Sequence, residues 1–303
     1  MKAIAKILRL LLPYKLYKLI ANGFIIVPKY YKLAIEELEL GFDLSLEDHI
    51  TRDLMLMRKY GHILDKGLHR DDIEPGHSKA VYKDLKALVD KVKQTEYKDD
   101  PTLIWASSKL EKYEQLQANP EEFTPLRQEV AKSQVTFEQI EKLIKERRSN
   151  RCFTDQQISD NDISKLKGIA NWAANSCNKQ PIRIFTTTDS AIAKKCLACC
   201  AGGTGFGQNI PSFWCFTANV RGYVWPTEMY LPHIDVSLGA QNVFLAAQTI
   251  GITGTILSWG QHTKSDDIKL RSLLNIPEDY AIIFCAVMGY AEYGFSTPSR
   301  KSN

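Results

Sequence analysis

The sequence contains no run of eighteen uncharged apolar residues, so no conventional membrane-spanning helix is expected. It has no cysteine before Cys152. The seven that follow are Cys152, Cys177, Cys196, Cys199, Cys200, Cys215 and Cys285, an odd number with three of them crowded together. That is a poor disulfide framework and points to a reducing, cytoplasmic environment. Cys196, Cys199 and Cys200 lack the fourth ligand that a structural metal site needs, and they read as small apolar residues packing on a helix. His49, His62, His69 and His77 carry no metal-ligand spacing, so no metal is expected. Neither sign of charge dominates, with 39 Lys and Arg against 35 Asp and Glu. The resulting net charge of +4 is too small to indicate nucleic-acid binding. No internal repeat is visible.

Acids are missing from the opening residues, which carry Lys2, Lys6, Arg9, Lys15 and Lys18. These charges interrupt the apolar run too often for a secretory signal core. Ile4, Ile7, Leu8, Leu11 and Leu12 form an apolar stripe that ends at Pro13. Such a helix suits either a peripheral membrane contact through residues 1–13 or packing on protein, and packing is the commoner case. Further helices are predicted over about 45–66, from after Pro75-Gly76 to about 94, and over about 105–117. Leu54, Leu56, Met57, Tyr60, Ile63 and Leu64 recur at helical spacing. Prolines at 120 and 125 break this texture, which divides the chain into a helical accessory region at 1–130 and a second domain at 136–303.

From Thr136 the pattern alternates. Thr136 and Gln139 form a capping box ahead of a helix running to about Arg148, and another helix starts after Ser159 and runs to about Ala174. Strands are predicted at Ile182–Thr187, Phe213–Thr217, Ala281–Gly289 and near Thr253–Leu257. Ile234–Ile250 is apolar nearly all round and reads as a helix buried on several sides. The expected fold class is α+β, a sheet flanked by helices around a buried central helix, preceded by an all-α region.

Three segments carry chemistry. Arg147-Arg148-Ser149-Asn150-Arg151 suits a phosphate, because guanidinium forks bind paired oxygens and the hydroxyl adds a donor. Taken alone, it also suits a solvated helix end. Asn175 to Pro181 offers amide side chains that match a ring edge of alternating donors and acceptors, or a turn of local origin. Gly251 to Gly260 (GITGTILSWG) is a Gly-rich turn and strand whose backbone can approach a flat group closely.

In this order the segments resemble the nitroreductase family of flavoproteins. Arg147–Phe153 resembles its R-R-S-x-R-x-aromatic opening, and Ala174–Ile182 a variant of its P-S-S-x-N-x-Q-P-W loop. Asn209-Ile210-Pro211-Ser212, Ala240-Gln241-Asn242, Gly251–Gly260 and Leu274–Tyr280 resemble its later elements. The resemblance covers about the last 170 residues and implies FMN at a homodimer interface, reduced by NADH or NADPH, acting on a small-molecule substrate. It implies that Arg147, Arg148, Ser149 and Arg151 face the phosphate and the ring's pyrimidine side, with Arg151 opposing negative charge on the ring. Arg300 resembles the late arginine of the phosphate site. Asn178 and Gln180 would meet the ring edge, and backbone N–H groups of Ser258, Trp259 and Gly260 would approach the flavin N5. No catalytic side chain is obligatory, because the flavin carries the electrons.

The chain departs from the pattern where Ala174-Asn175 and Ile182 replace a Pro-Ser pair and a Trp, and where Cys177 enters the loop. Gly202–Gly207 lacks the spacing and strand context of a dinucleotide motif and reads as a flexible loop. His262 reads as a loop histidine or a proton donor, and Trp225, Glu228, Met229 and Tyr230 as candidate lid residues. Alongside an NAD(P)H oxidoreductase, a flavin-dependent tailoring oxidase or dehydrogenase and a non-catalytic binding protein on the same fold stay open.

Overall fold

The computed structural model describes residues 12–21, 23, 28, 32, 35–36, 38–39, 41 and 49–300. The amphipathic helix expected over 1–13 therefore lies almost wholly outside the described residues. A short helix α1 spans Tyr14–Ala21. Three longer helices follow: α2 (Ile50–Leu68), α3 (Lys79–Val92) and α4 (Pro101–Ala118). Asp100 caps α4 by accepting the Thr102 N–H at 2.7 Å, with Pro101 at the first turn, where its missing N–H costs nothing. Met57, Leu64, Leu85, Val89, Leu103 and Leu110 meet at the centre of these helices, which thus bury a core of their own.

Residues between Phe123 and Thr136 form no helix or strand. Helix α5 (Phe137–Glu146) then begins at the capping box, Gln139 N–H donating to Thr136 Oγ1 and Thr136 N–H to Gln139 Oε1. It stops at Glu146, short of the expected Arg148, because Arg147 turns extended (φ −58°, ψ 130°) to start the following loop. Helix α6 (Asp160–Ile169) is likewise shorter than expected and ends in a tight turn, Ala170–Trp172. Asn171 in that turn clamps Ile182, donating to its carbonyl at 2.9 Å and accepting its N–H at 3.1 Å.

The remaining elements are β1 (Ile182–Thr187), α7 (Ser190–Leu197), β2 (Phe213–Asn219), α8 (Leu231–Thr249), β3 (Ile252–Ser258), α9 (Lys264–Leu274) and β4 (Tyr280–Tyr290). The strands form one antiparallel sheet in the order β1-β2-β4-β3. All seven positions of β2 are buried, so both faces are covered. Trp214, Phe216 and Ala218 point to α6 and α8, while Phe213 and Cys215 point to α7 and α9. The second layer also holds Cys196, Cys199, Cys200 and Cys285, and all seven cysteines are free thiols. Only Cys196 of the crowded three lies within α7; Cys199 and Cys200 follow its end.

Helix α8 crosses one face of the sheet. At Gly239 a Cβ would stand 2.3 Å from Ile182 Cδ1 and 2.7 Å from the Ala170 carbonyl, so only glycine admits this approach. Its opposite face is open: Ile234 and Leu238 are about half exposed. Burial on several sides is thus incomplete within one chain. No helix among the described residues is long and apolar enough to cross a membrane.

The α2–α4 unit docks on the end of the sheet where β1 begins and β2 ends. Met55 of α2 packs on Gly222, where a Cβ would lie 2.4 Å from its Cε. Helix α2 also rests on the Ser176–Asn178 turn.

Candidate functional site

The arginine loop lies where β4 ends and β3 begins. Asn150 is buried there, its amide donating to Thr253 Oγ1 at 2.8 Å and its carbonyl accepting Thr255 Oγ1 at 2.6 Å. Thr154 N–H donates to the Tyr290 carbonyl at 2.9 Å, and Gly207 N–H to the Arg151 carbonyl at 2.8 Å. The loop is thereby fixed to the sheet, with the Gly202–Gly207 segment beside it. Arg148 is spent internally: its guanidinium donates to the Lys145 and Arg147 carbonyls and to Thr297 Oγ1. The last of these bonds ties down the C-terminal segment that carries Arg300. Ser149, Arg151 and Arg300 are exposed, and Arg147 is half-buried. Among the described residues, Arg147, Arg151 and Arg300 have no carboxylate within ion-pair reach.

The amide loop lies at the other end of the sheet. Its backbone is unusual: Cys177 (φ 54°), Asn178 (φ 54°) and Gln180 (φ 52°) are left-handed, a region costly for side chains other than Asn and Asp. Side chains hold it there. Asn175 Oδ1 accepts the Gln180 N–H at 2.9 Å, and Gln180 Nε2 donates to Asn178 Oδ1 at 3.0 Å. Ser176 donates both its N–H (3.0 Å) and its O–H (2.9 Å) to Asp235 Oδ1, and Tyr223 O–H donates to Asp235 Oδ2 at 2.6 Å. Burial, then the Asp235 charge, pushes the Tyr223 phenol far above its ordinary value, so it stays a donor.

Beneath the loop, Lys179 is almost fully buried. Its Nζ donates to Glu228 Oε1 at 2.8 Å and lies 4.3 Å from the centre of the Tyr223 ring. Lys59 of α2 donates to the same oxygen at 3.1 Å. Burial pushes Glu228 up, but the two ammonium groups hold it net below its ordinary value. For Lys179 burial prevails over Glu228, and its pKa is lowered. The cost of the cluster therefore falls on the lysine, which has no water to fall back on.

Ser258, Trp259 and Gly260 follow the end of β3, with Ser258 and Gly260 exposed. Trp259 is buried and its indole N–H has no partner among the described residues. His262 lies flat against it, with ring centres 4.6 Å apart and planes inclined by 7°. Its Nδ1 is 2.5 Å from the Trp259 carbonyl. The histidine thus props this turn.

The arginine loop is brought together with the Arg300 segment, but one chain does not bring it to the amide loop. Asp235, near the start of α8, holds the amide loop, while the arginine loop lies past the helix end, roughly 20 Å away at 1.5 Å per residue. The arginine loop does suit a phosphate monoester: the Arg147 and Arg151 guanidinium groups and the Ser149 hydroxyl have no carboxylate opposing them among the described residues. Sequence reasoning missed Lys59, Tyr223 and Asp235. A lone acid in the apolar helix Ile234–Ile250 was the available signal, since a buried carboxylate demands donors.

A family model described as "Nitroreductase family" matches residues 144–204, which contain both the arginine loop and the amide loop. A protein of Archaeoglobus fulgidus, named as an NADH dehydrogenase/NAD(P)H nitroreductase, is 32% identical over 158 residues. That match covers 51% of this chain and 86% of the relative. Among solved structures, a Parabacteroides distasonis protein of the same name is 19% identical, with a TM-score of 0.47 over 55% of this chain and 94% of its own. An FMN-dependent nitroreductase from Clostridium difficile is 20% identical, with a TM-score of 0.45 over 52% of this chain and 90% of its own.

Proposed function

The chain belongs to the nitroreductase family, and on that premise we propose that it is an FMN-dependent oxidoreductase transferring hydride from NADH or NADPH to a small-molecule acceptor. The observation that carries this reading is the arginine loop: Arg147, Ser149 and Arg151 stand at one turn with no carboxylate to neutralise them, and Arg148 draws the Arg300 segment alongside. An unopposed cluster of this kind is stabilised by a bound dianion. FMN, when bound, supplies two-electron chemistry. Arg147, Ser149, Arg151 and Arg300 would hold its phosphate, while Arg148 and Asn150 shape the loop. Asn178, Gln180 and the N–H groups around Ser258–Gly260 would meet the ring.

The separation of the two loops along α8 supports a homodimer, in which a second copy supplies what one chain holds at the far end. The open apolar face of α8 suits that contact. Ile234 and Leu238 are exposed on it, and an apolar groove of about 750 Å³ runs alongside, lined by Ile140, Leu143, Ile169 and Leu245.

The test is the visible spectrum of the purified protein, followed by anaerobic NADH or NADPH. Bound flavin that bleaches is expected. Arg147→Ala combined with Arg151→Ala should give a folded protein without FMN; full retention in the double variant would overturn the assignment.

A further inference from the structure

The positive balance of the chain is concentrated at one end. The first 35 residues hold seven Lys and Arg and no Asp or Glu, while the other 268 hold 32 against 35. Five of the seven precede Leu19: Lys2, Lys6, Arg9, Lys15 and Lys18. The residues between them are mostly apolar.

Helix α1 shows how this composition is displayed. The Tyr17 N–H donates to the Pro13 carbonyl at 2.9 Å and closes the first turn. Leu16, Leu19 and Ile20, spaced three and four apart, share one face, and Lys15 and Lys18 share another. Lys18 Nζ lies 5.2 Å from the centre of the Tyr14 ring, so a cation and an aromatic ring stand together. Among the described residues α1 joins none of the buried apolar clusters. Nor does it make a hydrogen bond, ion pair or ring contact with another element there. Leu19 is 71% exposed and Leu16 43%. A helix of 8 residues is too short to be held by its backbone hydrogen bonds alone, so its apolar face needs a covering surface.

Charge and apolarity together decide which surface. A second copy related by a two-fold axis would bring the same cations together, with no acid in either segment to separate them. A nucleic acid would satisfy the lysines and leave the leucines in water. An anionic bilayer satisfies both. Leucines enter the acyl boundary, the Tyr14 ring suits the headgroup level, and the lysine stems carry their charges to lipid phosphates.

We propose that α1, with the basic residues that precede it, docks the protein on a membrane surface carrying anionic lipids. The contact is peripheral, with α1 lying in the interface plane. It does not depend on the function proposed above.

The test is sedimentation of the full chain with vesicles of phosphatidylcholine alone, and of phosphatidylcholine with about one third phosphatidylglycerol. Binding to the anionic vesicles is expected, at least about tenfold tighter than to the neutral ones. It should weaken at about 0.5 M salt, where surface charges are screened. Leu16→Glu with Leu19→Glu, and Lys15→Glu with Lys18→Glu, should each weaken anionic-vesicle binding at least about tenfold. All four side chains are exposed, so circular dichroism and flavin content should match the parent. The proposal is overturned if the chain stays in the supernatant with anionic vesicles, or if either double variant sediments like the parent. Binding to duplex DNA in place of vesicles would also overturn it. So would a leucine variant that lowers the molar mass in light scattering, since the covering would then be a second copy.

Discussion

Lys59 of the helical unit and Lys179 of the amide loop donate to one and the same oxygen of Glu228, at 3.1 and 2.8 Å. Two ammonium groups on one carboxylate oxygen join the accessory helices, the Pro226–Glu228 turn and the loop into a single unit. The fold of the amide loop therefore depends on residues far from it in sequence.

Glu228→Ala strands both lysines without an anion in a site where Lys179 has no access to water. The expected loss is about 3 kcal/mol, measured by urea unfolding, because an uncompensated buried charge costs more than the ion pair contributes. Lys59→Met should cost clearly less, since Glu228 still neutralises Lys179. Equal losses for the two variants would show that the cluster does not act as described.

Tyr223→Phe removes one of the three donors to Asp235 and leaves Oδ2 buried without a partner. A loss of about 1–3 kcal/mol is expected. Hydrogen exchange should rise at the Ser176 amide, which bonds the same carboxylate. Unchanged protection there would separate the tyrosine from the loop.

Stability should fall in two stages on acidification. His62 is lowered below its ordinary 6.5 by burial, then by Lys66, and His49 is lowered by burial, then by Arg221. Just below pH 6.5 the unfolded chain binds more protons than the folded one, so stability drops until both states are protonated. Glu228 is held below 4.5 despite burial, so its contribution is present above pH 4.5 and disappears as pH falls through its folded value. Melting temperatures from pH 8 down to about 2 should show both stages. The first should shrink in His62→Gln; an identical profile in that variant would remove His62 from the explanation.

Leu238→Asp places a charge on the open face of α8, where the second copy is proposed to sit. Light scattering should report a monomer, and the absorption spectrum a loss of bound flavin. A dimer that persists with FMN would move the interface elsewhere.

Much of the scaffold was legible because its signals are local. The strand at Ile182–Thr187 was bounded correctly from residue pattern alone, and the Thr136–Gln139 capping box marked the start of α5. The arginine loop stands out as a phosphate candidate, since clustered guanidinium groups beside a hydroxyl are a chemical pattern in themselves. Helix ends were less legible. Arg147 leaves the helix because Asn150 is drawn to Thr253 and Thr255, a pull exerted by residues about a hundred positions away.

The sequence by itself determined where most of the helices and strands form, because periodicity and capping act over a few residues. The tertiary structure alone decided how the amide loop is held and what it faces. Its left-handed residues are maintained by Asn175, Asp235 and the Glu228 cluster, and its cavity is completed by His62, Asp65 and Trp105. Those contacts arise from the docking of one buried core against another, so no short-range pattern encodes them.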